Sequence, residues 1–261
     1  MRIQFASDLH LEFAENWRYL REHPLEKAGD ILVLAGDIGY IGDENYSLHP
    51  FWSQMADQYE QVIVVPGNHE FYKYYDIASL QEGELLQIRS NVKVYYNGVV
   101  NFDDVDMILS TLWAHIPLQD AFATESGVTD FHRILFEGET LTFEQFNKEH
   151  ERCMDFLRRA CKSSSSSKRV IVTHHVPSFQ LSSPDFKGSR INGAFVSNED
   201  DFIETCGADY WIYGHSHRNI DRQIGKTKCV SNQLGYVFAR EHQSFDRRKM
   251  LDLLCTDKSG K

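Results

Sequence analysis

Two aspartates, one asparagine and a set of histidines recur in tight clusters along the 261-residue chain, and all are side chains that hold metal ions. The clusters are Asp8-Leu9-His10, Gly36-Asp37, Gly67-Asn68-His69-Glu70, His174-His175 and Gly214-His215-Ser216-His217. Mixed carboxylate, amide and imidazole ligands suit Mn, Fe, Zn or Co better than Ca. The lack of thiolate among them argues against a purely structural zinc site. Two carboxylates and several imidazoles exceed what one tetrahedral ion needs, whereas two ions sharing a carboxylate would use them all. Paired metals ~3.5–4 Å apart can activate a water and stabilise both ends of an in-line displacement at phosphorus.

Each cluster alone has a plainer reading. Asp-x-His and Gly-Asp are common turns or caps, and Gly-Asn-His-Glu could be a strand-to-helix turn with a left-handed Asn. What sets them apart is what precedes them. The apolar runs Ile3–Phe5, Ile31–Leu34, Val62–Val65, Val170–Val172 and Trp211–Tyr213 each end at one cluster. Short, β-branched and near-continuously apolar, they read as strands covered on both faces. In open α/β sheets the carboxyl ends of strands line the ligand crevice, so the five clusters should converge. Gly36, Gly67 and Gly214 would let the backbone turn sharply there.

Between the second and third runs, Ser47 to Tyr59 carries helical spacing with Pro50 near its first turn, making a strand–helix–strand crossover. Val92–Tyr96, Val99–Phe102 and Met107–Leu112 read as strands joined by turns at Asn97–Gly98 and Asp103–Asp104. Ala114–Gly138 has no sustained period and reads as a long loop over the site. Thr142 to Gln145 fits a capping box, opening a helix that runs to Cys161. Ser163–Ser167 reads as a flexible surface loop. Two short strands, Ile220–Ile224 and Lys228–Val230, follow, linked through Gly225.

In order and separation, the five clusters resemble those of the calcineurin-like metallophosphoesterase superfamily. The resemblance implies an α/β fold, a four-layer αββα sandwich with two central mixed β-sheets, read as one domain over residues 1–261. It implies that Asp8, His10 and His217 bind one metal, Asn68, His174 and His215 a second, and that Asp37 bridges both. The cofactors would be two divalent or trivalent transition-metal ions, Mn, Fe or Zn, with a shared hydroxide attacking phosphorus. His69 would meet the scissile phosphate or the leaving-group oxygen as general acid or charge stabiliser. Asn68 and, more loosely, Tyr72, Arg133 and Arg190 are candidates for the phosphate pocket. His174 is preferred to His175 because it directly follows a small residue at the strand end; His175 is either a substrate-pocket residue or the ligand of a strand one residue longer.

Composition narrows the partners. A net charge of −11 disfavours a nonspecific grip on nucleic acid, and no apolar run approaches the length of a membrane span. The five cysteines are scattered and odd in number, which with the immediate strand at MRIQFASD sets the expectation of a reduced, cytoplasmic protein. The substrate would be a small or medium phosphorylated compound, and no residue pattern specifies an oligomeric state. The competing readings are a noncatalytic interaction scaffold of the same fold, which would have no need of a complete ligand set, and a nuclease or protein phosphatase of the same superfamily.

Overall fold

The computed structural model describes residues 1–102, 104–251 and 253. Its first strands are β1 (Ile3–Ala6), β2 (Ile31–Ala35), β3 (Gln61–Val65), β4 (Tyr75–Asp76), β5 (Gly83–Arg89), β6 (Val92–Tyr96), β7 (Gly98–Phe102) and β8 (Val105–Ser110). The second half adds β9 (Ile134–Phe136), β10 (Glu139–Thr140), β11 (Lys168–Thr173), β12 (Tyr210–Tyr213), β13 (Arg222–Ile224), β14 (Thr227–Ser231) and β15 (Met250–Leu251). The helices are α1 (Ala14–Glu22), α2 (Pro50–Gln58), α3 (Ala121–Gly127), α4 (Asp130–Arg133), α5 (Phe143–Ser163) and α6 (Asp200–Thr205).

Two six-stranded sheets form, in the orders β15-β1-β2-β3-β6-β5 and β13-β14-β12-β11-β8-β7. In each, four inner strands run parallel and the edge strands pair antiparallel, so both sheets are mixed. A small third sheet, β10-β9-β4, stands apart from them.

Strand alternation sorts the apolar side chains into layers. Ile3, Phe5, Ile31, Val33, Ile63 and Val65 of the first sheet meet Met107, Leu109, Val170, Val172 and Ile212 of the second, forming the core between the sheets. The intervening residues Leu32, Leu34, Val62 and Val64 face outward onto Phe51, Trp52 and Met55 of α2 and Leu20 of α1. On the other side Ile108, Ile171, Trp211 and Tyr213 pack with Phe146, Met154 and Leu157 of α5. The result is the helix–sheet–sheet–helix stack implied by the resemblance.

Local signals account for the helices that were expected. Pro50 opens α2, where it has no N–H to lose, and the His49 side chain accepts from Phe51 N at 3.3 Å. Thr142 caps α5 in a reciprocal box with Gln145. Three expectations are corrected. Ala114–Gly138 holds α3, α4 and β9 rather than a long loop, its helices being too short to show a period. Met107–Leu112 starts and stops earlier, as β8, because Leu112 turns left-handed at φ 47°. Ser164 and Ser166 of the serine run donate to Asp106 at 2.6 and 2.7 Å, which ties that loop to the sheet. The expected turn residue Asp103 lies outside the described residues.

Candidate metal centre

Each cluster stands where a parallel strand runs out: Asp8 after β1, Asp37 after β2, Asn68 and His69 after β3, His174 after β11, His215 and His217 after β12. The strand ends of both sheets meet at one edge, which brings residues more than 200 positions apart into contact. Their backbone is under strain. Asp8, His10, Asp37, His215 and His217 have φ of 55°, 49°, 56°, 72° and 50°, a left-handed conformation that costs a non-glycine residue about 1–3 kcal/mol. Hydrogen bonds from Asp8 N to Gly36 O and from His10 N to Asp37 O, both 2.9 Å, hold two of these turns against that cost.

Among the described residues three groups of ligand atoms converge, each within 4.8 Å: Asp8, His10 and His217; His10, Asp37 and His69; and Asp37, His174 and His215. Asp37 belongs to two of them. Its Oδ1 lies 3.3 Å from His174 Nε2, while its Oδ2 lies 3.9 Å from His10 Nε2, so its two oxygens face opposite halves of the cluster. Asn68 Oδ1 is 3.2 Å from His174 Nε2, and its Nδ2 donates to Asp130 Oδ1 at 2.8 Å, which fixes the amide with oxygen inward. His215 Nδ1 is 3.1 Å from His174 Nε2.

The imidazoles are oriented by partners behind them. His10 Nδ1 pairs with Glu12 Oε1 at 3.0 Å, His217 Nδ1 with Glu241 Oε2 at 2.6 Å, and His174 Nδ1 with the Ala35 carbonyl at 2.9 Å. Each acceptor requires a proton on Nδ1 and leaves Nε2 for the centre, the usual outer support of a metal-bound histidine. His10 Nε2 and His217 Nε2 then face each other at 3.0 Å, and two lone pairs at that distance need a positive charge between them. The electrostatics agree. Burial opposes a charge on His217, yet Asp8 and Glu241 push its pKa up to about 10; burial likewise opposes His174, yet Asp37 and Asp8 push it up to about 9. Burial and neighbouring histidines lower His10 and His215, so the cluster favours positive charge on some of its imidazoles and not others, and the O/N donor set fits transition metals.

Glu70 does not point at the cluster. Its carboxylate accepts from the backbone N–H of Asp37, Ile38 and Gly67 at 2.8, 2.7 and 2.6 Å, pinning the β2 and β3 loops together. The glycines act differently from expectation. Only Gly36, at φ +89°, needs a left-handed turn. Gly67 and Gly214 are needed for room: a Cβ on Gly67 would sit 2.2 Å from Asp37 Oδ1 and 2.7 Å from the His174 ring. Gly67→Ala is therefore expected to fold but to lose metal affinity, on the order of 10–100-fold, as loss of ligand support does. Titration calorimetry with Mn or Zn checks this, and wild-type affinity would contradict it.

Of the remaining candidates, His69 stands beside the cluster, its Nδ1 2.7 Å from the same Glu12 oxygen and its Nε2 3.9 Å from Asp37 Oδ2. Tyr72 donates its hydroxyl to Asp130 Oδ1 at 2.7 Å, and Arg133 lies over the Tyr72 ring at 5.8 Å. Both line a cavity of about 470 Å³ in front of the cluster. Arg190 turns away, onto Asp120 and the Gln119 carbonyl. His175 is fully buried against His215, Trp113 and Phe146, and it does not line the cavity. Successive residues at a strand end point to opposite sides, so only one of the pair can reach Asp37.

The sequence reading missed Glu12, Asp130, Tyr236 and Glu241. Glu12 continues the alternation of Asp8 and His10, a usable signal. Glu241 lies 24 residues beyond His217 with nothing local to mark it.

A mixed α/β sandwich with a carboxylate–imidazole cluster at its joined strand ends defines a metallophosphoesterase architecture. The chain belongs to the calcineurin-like phosphoesterase family, which it matches over residues 1–219. It is similar to the uncharacterized protein L509 of Acanthamoeba polyphaga mimivirus, at 27% identity across 97% of both chains. The phosphopantetheinyl hydrolase PptH from Mycobacterium tuberculosis has a similar structure, with a TM-score of 0.69 over 100% of this chain and 98% of that one. Their sequences are 18% identical, so that likeness is one of fold. Among the described residues, no helix is long and apolar enough to cross a membrane.

Proposed function

We propose that the protein hydrolyses phosphomonoesters or phosphodiesters with two transition-metal ions, Mn, Fe or Zn, held at the strand ends. Such a pair supplies Lewis-acid charge for the phosphoryl oxygens and makes water acidic enough to react at neutral pH. Asp8, His10 and His217 would hold one ion and Asn68, His174 and His215 the other, with the Asp37 carboxylate available to both halves. The observation that carries the reading is the split Asp37 carboxylate, set between histidines whose Nδ1 protons are already committed outward. A scaffold would have no use for that pairing.

His69 supplies the acid. Burial works against its charge, but Asp37 and Glu12 raise its pKa above the ordinary imidazole range. With Nδ1–H bound to Glu12, a second proton would sit on Nε2, toward the cavity and within 3.4 Å of the Tyr236 hydroxyl. There it can be handed to a departing alkoxide. Burial also opposes the Glu12 charge, yet the bonds from His10 and His69 hold its carboxyl down at about 2. Tyr72, bonded to Asp130, braces Asn68 from behind, and Arg133 waits at the exposed rim for the anionic substrate. The four described cysteines are free, which supports a reducing, cytoplasmic setting.

The test is hydrolysis of p-nitrophenyl phosphate and bis(p-nitrophenyl) phosphate by chelator-stripped protein reloaded with Mn, Fe or Zn. Turnover that appears with metal and vanishes with chelator is expected. A fully metal-loaded protein inert on both esters would overturn the reading.

A further inference from the structure

The cavity in front of the centre has walls of a different chemistry from its floor. The floor is the cluster itself, which is nearly all buried: His69 is 8% exposed and the His217 side chain 11%, so a substrate reaches it through the cavity. The walls come from the end of α3 and from the segment 182–196, which supply Val128, Phe186, Ile191, Phe195 and Val196. Phe195 stacks on His215 with ring centroids 4.8 Å apart and 22° between planes, so hydrocarbon begins beside a candidate ligand. Of the carboxylates along the wall, Asp130 accepts through Oδ1 from Asn68 and Tyr72, its Oδ2 being buried without a partner, and Glu241 accepts from His217. Among the described lining residues, Arg133 is the single lysine or arginine. At about 470 Å³ the space is of the size that encloses a small molecule.

Resting on the phosphoesterase reading, we infer that the substrate is the phosphate ester of a slender, largely apolar alcohol, whose body lies in this chamber while its phosphoryl group meets the floor. A nucleic-acid strand would need a track of cations, and the chamber offers one. A folded phosphoprotein would have to lower its side chain past Phe186 to reach the floor. An apolar chain gains affinity from each methylene it takes out of water, about two- to fourfold per group. Gly127 lies at the margin of this space: a Cβ there would meet only Ile191 Cγ2, at 3.6 Å, so a larger residue can grow inward without displacing backbone.

The experiment measures kcat/KM of the metal-loaded protein on two homologous series from methyl to octyl, n-alkyl phosphates and n-alkyl p-nitrophenyl phosphodiesters. A phosphoserine peptide and a single-stranded oligonucleotide serve as comparisons. At least one series is expected to climb about two- to fourfold per methylene and then level off as the chamber fills. Gly127→Leu should move the plateau to shorter chains, and Ile191→Ser should flatten the climb, both with bound metal retained as in the wild type. Turnover of p-nitrophenyl phosphate with no chain-length dependence in either series would overturn this inference and leave the phosphoesterase reading intact. So would a peptide or oligonucleotide that outruns every alkyl ester. No turnover of any ester would overturn both.

Discussion

Asp37→Asn is expected to reduce kcat on p-nitrophenyl phosphate by more than the ~10²–10³-fold that a single lost oxyanion donor costs an enzyme. The substitution keeps the shape of the side chain and the acceptor for His69 N, which Asp37 Oδ1 now meets at 2.9 Å. What it removes is charge and one oxygen. Burial opposes the Asp37 carboxylate, yet His174, His69 and His10 hold its pKa well below the usual carboxylate range, so the native site relies on this charge. An amide has one oxygen with lone pairs and can face one half of the cluster only. A loss confined to KM, with kcat unchanged, would mean that Asp37 shapes binding and does not join the two halves.

The second large effect belongs to His69. His69→Ala is expected to cost about 10²–10⁴-fold on an alkyl phosphate, whose alkoxide must be protonated as it leaves. On p-nitrophenyl phosphate the expected loss is about tenfold or less, because p-nitrophenolate departs without help. The same contrast should appear, smaller, in Glu12→Gln, since Glu12 Oε1 fixes the His69 Nδ1 proton from 2.7 Å. Steady-state rates on the two esters decide it. Equal losses on both leaving groups would assign His69 to phosphate binding and not to proton delivery.

How much of this could be read in advance depended on distance along the chain. The ligand clusters were legible because strand and ligand are written as one local block: a buried strand gives a continuous apolar run, and the first ligand of each cluster follows within three residues. Gly67 and Gly214 were legible as features but not as reasons. Their lack of a side chain answers to Asp37, His174 and Asp8, which arrive from other strands. α1 escaped because its apolar stripe is thin: among its nine residues only Asn16 and Leu20 are buried. Asn16 serves the site through its amide, donating to the Leu9 and Gly235 carbonyls at 3.0 and 2.8 Å, a purpose that no periodicity reveals. β5 (GELLQIR) pairs with β6 through two register shifts, which erase the alternation a strand is recognised by. Asp130, at the start of the one-turn α4, and Glu241, at the start of the 3-10 turn Glu241–Ser244, brace ligands from segments too short to carry a period, so only the fold could bring them forward.

The most direct test counts metal. Protein stripped with chelator, reloaded with excess Mn or Zn and desalted should retain about two ions per chain when measured by inductively coupled plasma mass spectrometry, as the two ligand halves joined by Asp37 require. Retention of no metal under those conditions would contradict the assignment of Asp8, His10, Asp37, Asn68, His174, His215 and His217 as ligands, and retention of a single ion that still supports full hydrolysis would contradict the shared role given to Asp37.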